Sequence, residues 1–441
     1  MKYVVFTFAA LGVPPLALLL WCNLRWARYV VWGMLATLCV FQSTAINFFS
    51  HEEYTGSARG MEVGLIHLLA VAILIALTLK RKVQGCLPEW GFRIYVVYFL
   101  LCLPSLSAAE DHLVSWFEIW KMIAMYAVYL AVFYYLRATD DIKTLMKGFM
   151  FLVFVNFWYV VGQHYSAHYQ AHGFFPHWNC MVMALHLFGA LFFAYYLTHG
   201  MRTLLGKVCF LAFVCTVIST LWSYSRGAFA VMPICYGLTT LACVFDKRNL
   251  MRTFRRLLPI ALFAFLGVAA MLPRIVKRFE TAPKASGDTR VELAYCALEM
   301  IEDEPLRGVG INNWSLKMDP SYPYQENASK IVGRELDYTG IVETVYLLVG
   351  AECGIPALLA LLVWFGWYWI SCLKLLHGLR GTSWYFVPAG LLGGLTANYL
   401  QSVLEWVLRQ QMNLICLLFM FATLSYLNKD WQRLRDLERG E

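Results

Sequence analysis

Apolar stretches of about 20 residues, the length that carries an α-helix across a bilayer, recur along almost the whole chain. They lie near 3–22, 28–48, 62–80, 92–106, 113–136, 148–163, 178–198, 207–222, 227–245, 257–273, 342–371, 385–404 and 411–427. One long polar interruption, from about 274 to 340, breaks the series. The pattern predicts an all-α polytopic membrane protein of about 12–13 transmembrane helices, with one large outer loop subdomain containing amphipathic helices. The expected organisation is N-terminal transmembrane helices over 1–273, the loop subdomain over 274–341, C-terminal transmembrane helices over 342–427 and a cytoplasmic tail over 428–441. Pro14 and Pro15 leave the first segment open as a kinked helix, a re-entrant turn or a true span. It lacks the small-residue cleavage pattern of a removable signal peptide.

Lys and Arg fall unevenly on the connecting loops. Arg25 and Arg28, Lys80 to Lys82 with Arg93, Arg137 with Lys143 and Lys147, Arg202 with Lys207, the 247–256 cluster, and Lys374 with Arg380 occupy every second loop. The alternating short loops hold only Arg59, Arg226 and Arg409. The positive-inside rule then puts the first set and the basic C-terminus in the cytoplasm and the 274–340 segment outside. Composition agrees with the class, at 60% hydrophobic and 15% charged over 441 residues. The net charge of +8 is topogenic, and no basic stripe interleaved with aromatics suggests nucleic acid. Thirteen Cys include no C-x-x-C pair, and Cys296 is the only one in the outer loop, so no internal disulfide staples that loop.

Against this apolar background the polar residues carry the chemistry. Glu343 follows directly on the long polar segment and opens an apolar run, Val342-Glu343-Thr344-Val345-Tyr346-Leu347-Leu348. A carboxylate at membrane depth costs roughly 2.5–3.5 kcal/mol on insertion scales and is a candidate functional group by default. Helical geometry puts Tyr346 and Gly350 on its face, and Glu352 on the opposite side as a structural acid. Four His lie between 164 and 177, at 164, 168, 172 and 177. They lack a carboxylate or thiolate partner and regular ligand spacing, so no metal is expected. An interfacial aromatic loop is the leading reading, with hydrogen bonds from His172, His177 and Asn179 to sugar hydroxyls as another.

Arg226 opens a span after Ser223-Tyr224-Ser225 and before Gly227-Ala228. It either snorkels to the interface or, near a helix N-terminus with close backbone approach, binds phosphate. Thr289, Arg290, Val291 and Glu292 match a capping box, with Asp288 an acid just ahead of the first turn. Val291, Ala294, Tyr295, Leu298 and Ile301 then give an apolar stripe for a helix resting on the membrane surface. Arg290 falls in its expected first turn, where a cation is unfavourable unless an anion is near. Gly308-Val309-Gly310 lacks the third glycine of a dinucleotide fingerprint and reads as a tight turn. Glu405 and Arg409, one turn apart, are expected to pair, and Asn398 and Gln401 to line the same cavity.

In their order these motifs resemble the O-antigen ligase and polymerase superfamily. The likeness rests on Ser225-Arg226-Gly227-Ala228, on Arg290 in a helix running to Glu304-Pro305, on Gly308-Val309-Gly310-Ile311-Asn312-Asn313, and on Val342-Glu343-Thr344-Val345-Tyr346-Leu347 with Ala351-Glu352-Cys353-Gly354. The resemblance implies a multi-pass protein of the bacterial inner membrane with its active site facing the periplasm. Such a protein moves a glycan from an undecaprenyl-diphosphate carrier to a glycan, lipid or protein acceptor, without metal, cofactor, nucleotide sugar or nucleic acid. It assigns Arg226 and Arg290 to the diphosphate. Where the family pattern is His-Asn-x-Tyr-Leu, this chain has Glu343-Thr344. A positioned carboxylate can serve as general base as imidazole does, typically supplying about 10²–10⁴ in rate. One base and one leaving group predict inversion at the anomeric carbon. Arg59, His172, His177, Asn179, Tyr346 and Arg409 are further candidates for substrate contact. Polymerase and ligase both remain open, and a transporter or flippase of lipid-linked glycans is the alternative.

Overall fold

A computed structural model describes residues 2–83, 88–166, 170–245, 250–261, 273, 276, 284–332 and 340–439. Among these, ten helices are long and apolar enough to cross a membrane. The expected spans near 62–80 and 385–404 are shorter helices, Leu65–Leu79 and Phe386–Gln401. The span expected at 257–273 falls mostly outside the described residues. The first segment comprises the helices Lys2–Leu11 and Val13–Cys22, joined by Gly12 in helical conformation (φ −72°, ψ −16°), and Tyr3–Cys22 is one of the ten. The last helix runs unbroken from Gln411 to Arg439, through most of the residues expected as the tail. The only described strands are Ile46–Ser50 and Gly60–Val63, an antiparallel pair with Ile46 opposite Val63 and Asn47 opposite Glu62.

Burial sorts the helices. Trp178–His199 is apolar all round and 94% buried in its best window, whereas the first span, Tyr3–Cys22, is 17% buried. Around the central helix, small residues set the packing distance. A Cβ on Gly390 would lie 2.7 Å from the Ala190 carbonyl oxygen, and one on Gly393 2.2 Å from that of Cys235. Backbones that close exclude any larger side chain, the usual solution where no hydrophobic effect drives helices together in lipid. Asn398 adds hydrogen bonds to the Met183 and Gly394 carbonyls, 3.0 Å each. It therefore joins two helices instead of lining a cavity.

The helix Val345–Gly378 breaks at Gly354 (φ 81°, ψ 170°), with Pro356 two residues on. Pro356 has no N–H to offer the Glu352 carbonyl, and unsatisfied backbone groups are costly at membrane depth. The segment after Pro305 supplies the missing partners. Val309 N donates to Ala351 O at 2.9 Å, Gly310 N to Glu352 O at 3.1 Å, and Ile355 N to Pro305 O at 2.8 Å. Gly308 (φ 69°) and Gly310 (φ 115°) make this approach possible, since a Cβ at Gly308 would lie 2.4 Å from the Glu352 carbonyl carbon. The glycine pair is thus the tight turn expected of it, spliced into a broken helix.

The outer segment departs from expectation in two respects. Its helix is Lys284–Asp303, so Thr289 lies inside it and does not cap it. The 284–288 stretch extends the helix by more than a turn, which takes Arg290 out of the first turn. The predicted apolar stripe is largely the outward one, with Val291, Tyr295 and Leu298 exposed. Leu293, Cys296, Ala297 and Met300 form the buried face instead, packed with Trp314 and Leu348. The helix is apolar on two sides, and the stripe with the stronger sequence signal is the one turned away from the protein.

Candidate functional site

Glu343 does not belong to the helix that follows it. Thr344 is the extended N-cap residue (φ −151°, ψ 126°), and Val345 N donates to Ser402 O at 3.2 Å. The helical-face relation expected between Glu343, Tyr346 and Glu352 therefore does not apply. Freed from the helix, Glu343 reaches Arg290 and forms an ion pair between Oε2 and Nε. The other edge of the same guanidinium, Nη2, stands 3.4 Å from Glu405 Oε1. Arg290 and Glu343 side chains are 34% and 31% exposed, so solvent and ligands can reach them. A pair that exposed contributes at most about 1 kcal/mol to stability.

The network continues inward from Glu405. Asn179 Nδ2 donates to Glu405 Oε1, and Asn179 Oδ1 accepts from Ser225 Oγ at 2.7 Å. Ser225 also caps the helix Arg226–Val244, accepting from Ala228 N at 3.3 Å. Arg226 is the half-buried first residue of that helix. Glu343 and Arg290 thus touch, and the helix that Arg226 opens is tied to them through Ser225, Asn179 and Glu405. Burial pushes the Glu405 carboxyl up to about 8, with Glu343 adding to the rise while Arg290 and Asn179 oppose it. Sequence reasoning missed Glu405 because it assigned that acid to Arg409.

Arg409 faces elsewhere. Its Nη2 donates to Glu352 Oε2 at 2.8 Å, and its Nε lies 3.1 Å from Glu118 Oε1. Lys121 completes the cluster, 2.5 Å from Glu118 and donating to the Arg409 carbonyl at 2.8 Å. The expected Glu405–Arg409 pair is absent because residues 402–406 are not helical and 407–409 form a 3₁₀ turn, which swings the two side chains apart. With its side chain 7% exposed, Arg409 braces the bundle beneath the site; it is not positioned as a substrate contact. Glu352 also accepts from Trp314 N at 3.4 Å and is the structural acid expected. Asn312 ties this hub to the hairpin, accepting from Ala58 N at 3.1 Å and donating to Val114 O at 2.7 Å.

The remaining candidates divide. His177 caps Trp178–His199, accepting from Asn179 N at 3.2 Å, and burial pushes its imidazole down to about 4, so it is neutral at physiological pH. His172 Nδ1 lies 2.6 Å from the Phe175 carbonyl oxygen, and His164 stacks on Trp222. His168 lies outside the described residues. The Tyr346 hydroxyl is engaged by Tyr399 O at 2.9 Å. Arg59 is exposed and lines a separate cavity of about 350 Å³ with Lys121, Pro176, Trp406, Gln410 and Gln411. That cavity borders Trp406, the neighbour of Glu405.

A bundle of apolar helices, ten of them among the described residues long and apolar enough to cross a membrane, defines a polytopic helical membrane protein, and the Glu343–Arg290 network is a charged, accessible site on it. Residues 211–362 match the O-antigen ligase family, which supports placing the chain in the O-antigen ligase and polymerase superfamily and supports O-antigen-ligase-like glycan transfer as its general activity. The matched segment holds Arg226, Arg290, the Gly308–Asn313 turn and Glu343; Asn179, Glu405 and Arg409 lie outside it. No curated protein matches the chain.

Proposed function

We propose that this protein transfers a glycan from an undecaprenyl-diphosphate-linked donor to an acceptor hydroxyl at the periplasmic face of the bacterial inner membrane. The contact of Glu343 with Arg290, within one network that reaches the helix opened by Arg226, is the observation that carries this reading. Arg290 and Arg226 hold the diphosphate. Negative charge develops on the bridging oxygen as the sugar leaves, and fixed guanidinium groups stabilise it without a metal. Diphosphate binding draws Arg290 away from Glu343, which frees the carboxylate to take the proton of the attacking hydroxyl. The bond from that oxygen to the anomeric carbon forms as the bond to the phosphate oxygen breaks, with inversion. Glu405, protonated near neutrality, leaves Arg290 available to the donor and orients Asn179. The Arg59 cavity beside Trp406 lodges sugar units.

Reconstitution with a defined carrier-linked glycan tests the reading. Glu343→Gln and Arg290→Ala should each slow transfer by about 10²-fold or more with unchanged folding, and the product linkage should be inverted. Full transfer by a well-folded Glu343→Gln variant removes the base. Varying the acceptor in the same assay separates polymerase from ligase.

A further inference from the structure

At the opposite end of the bundle lies a second cavity, of about 740 Å³. The helix His112–Thr139, whose first turn sits beside Asn313, ends on it. At 1.5 Å per residue that puts the cavity about 40 Å from the Glu343 site. Its walls come from span ends only: Leu24 to Arg28, the 138–146 junction, Tyr195 to Leu205, and the start of Phe386–Gln401.

The acids of this cavity are committed elsewhere. Asp140 accepts two hydrogen bonds from Arg433, at 2.8 and 2.7 Å, and one from Tyr426 at 2.7 Å. Asp141 caps Ile142–Tyr165, accepting from Thr144 N at 3.1 Å and Thr144 Oγ1 at 2.7 Å. Glu438 accepts from Ser383 N at 2.8 Å and from Ser383 Oγ. The bases are not committed: among the described residues, Arg25, Arg28 and Lys143 make no ion pair with a carboxylate, and all three are exposed. Below them the wall is apolar, with Ile142, Met146, Leu205 and Phe386. Uncommitted cations above an apolar wall, at the level where spans end, fit one ligand chemistry, a phosphate ester joined to an acyl chain.

We propose that this cavity binds the headgroup of an anionic phospholipid, with the phosphodiester between Arg25, Arg28 and Lys143 and the glycerol and upper acyl carbons against Met146 and Phe386. Such a lipid fastens the thinly packed Leu24–Thr44 segment, 39% buried, to the central bundle. This site is independent of the reaction proposed above, and so is its test.

Full-length protein stripped of lipid in neutral detergent is titrated with phosphatidylglycerol, with phosphatidylcholine of the same acyl chains, and with inorganic phosphate, and retained ligand is read by native mass spectrometry. Phosphatidylglycerol should be retained at least tenfold better than phosphatidylcholine, and millimolar phosphate should not displace it. Arg28→Gln and Lys143→Gln should each weaken retention by about fivefold. Met146→Trp, which adds bulk to the apolar wall where the acyl carbons lie and leaves every charge in place, should abolish the preference. Arg252→Gln, altering a basic residue outside the cavity, should change nothing. Equal retention of the two lipids, displacement by inorganic phosphate, or an undiminished preference in a folded Met146→Trp variant overturns the proposal.

Discussion

Two arginines of this protein make the same kind of contact and do opposite work, because they differ in exposure. Arg409 is buried against Glu118 and Glu352; removing its charge leaves Glu352 without a cation and Glu118 with Lys121 alone, and breaking a buried pair costs about 3–5 kcal/mol. Arg409→Met should therefore lower the melting temperature sharply or prevent purification in folded form, measured by thermal unfolding in detergent. Arg290→Ala should leave that temperature within a few degrees of the parent, because Arg290 and Glu343 are each about a third exposed. Glu405 sets a pH dependence. Its carboxyl titrates at about 8 in the fold against 4.5 ordinarily, so the folded state binds the extra proton between those values. The stability this contributes is complete below pH 4.5 and is lost as pH rises through 8. Above pH 8 an ionised Glu405 also competes with a diphosphate for Arg290. Donor KM should rise between pH 7 and 9 in the parent and stay flat in Glu405→Gln.

Among elements, the break at Gly354 carries the most consequence. Only glycine tolerates φ 81° cheaply, and a Cβ there would lie 2.6 Å from the Leu306 carbonyl carbon. Gly354→Ala should destabilise by at least about 2 kcal/mol and reduce transfer although it touches no reacting group, with melting temperature and turnover measured on the same preparation. Sequence pattern could find the spans, because length and hydropathy are local properties. It singled out Glu343 and Arg226 because a charge in an apolar setting is conspicuous, and Arg290 because a cation in the expected first turn of a helix is. It missed Glu405, because choosing between Arg409 and Arg290 as its partner depends on a non-helical turn that no periodicity announces. The outer helix was misread at its start because Asp288 and Thr289 imitate a cap that the 284–287 residues override, and its buried face was missed because Cys296, Ala297 and Met300 signal less strongly than Val291, Tyr295 and Leu298.

For the whole molecule, the unpaired bases and the Glu343 site lie at opposite ends of the same helices, the arrangement that loop charge alone predicts for cytoplasmic and periplasmic faces. Single cysteines placed at Arg28 and at Arg307 in a Cys-free background should report it. A membrane-impermeant maleimide added to intact cells should label the second and spare the first; the reverse pattern would invert the topology and remove the periplasmic reaction.

The splice between the Pro305–Gly310 turn and the broken helix also decides how the site can open. Arg290 and Glu343 lie on the two chain segments that this joint laces together, so the joint holds their backbones in register while the side chains remain free to part. Across from it stand Asn179, in the first turn of Trp178–His199, Ser225, the cap of Arg226–Val244, and Glu405 in the turn after Phe386–Gln401. The 3.4 Å gap between Arg290 and Glu405 is the longest contact in that chain of partners, and it is where the donor of the proposed reaction would enter.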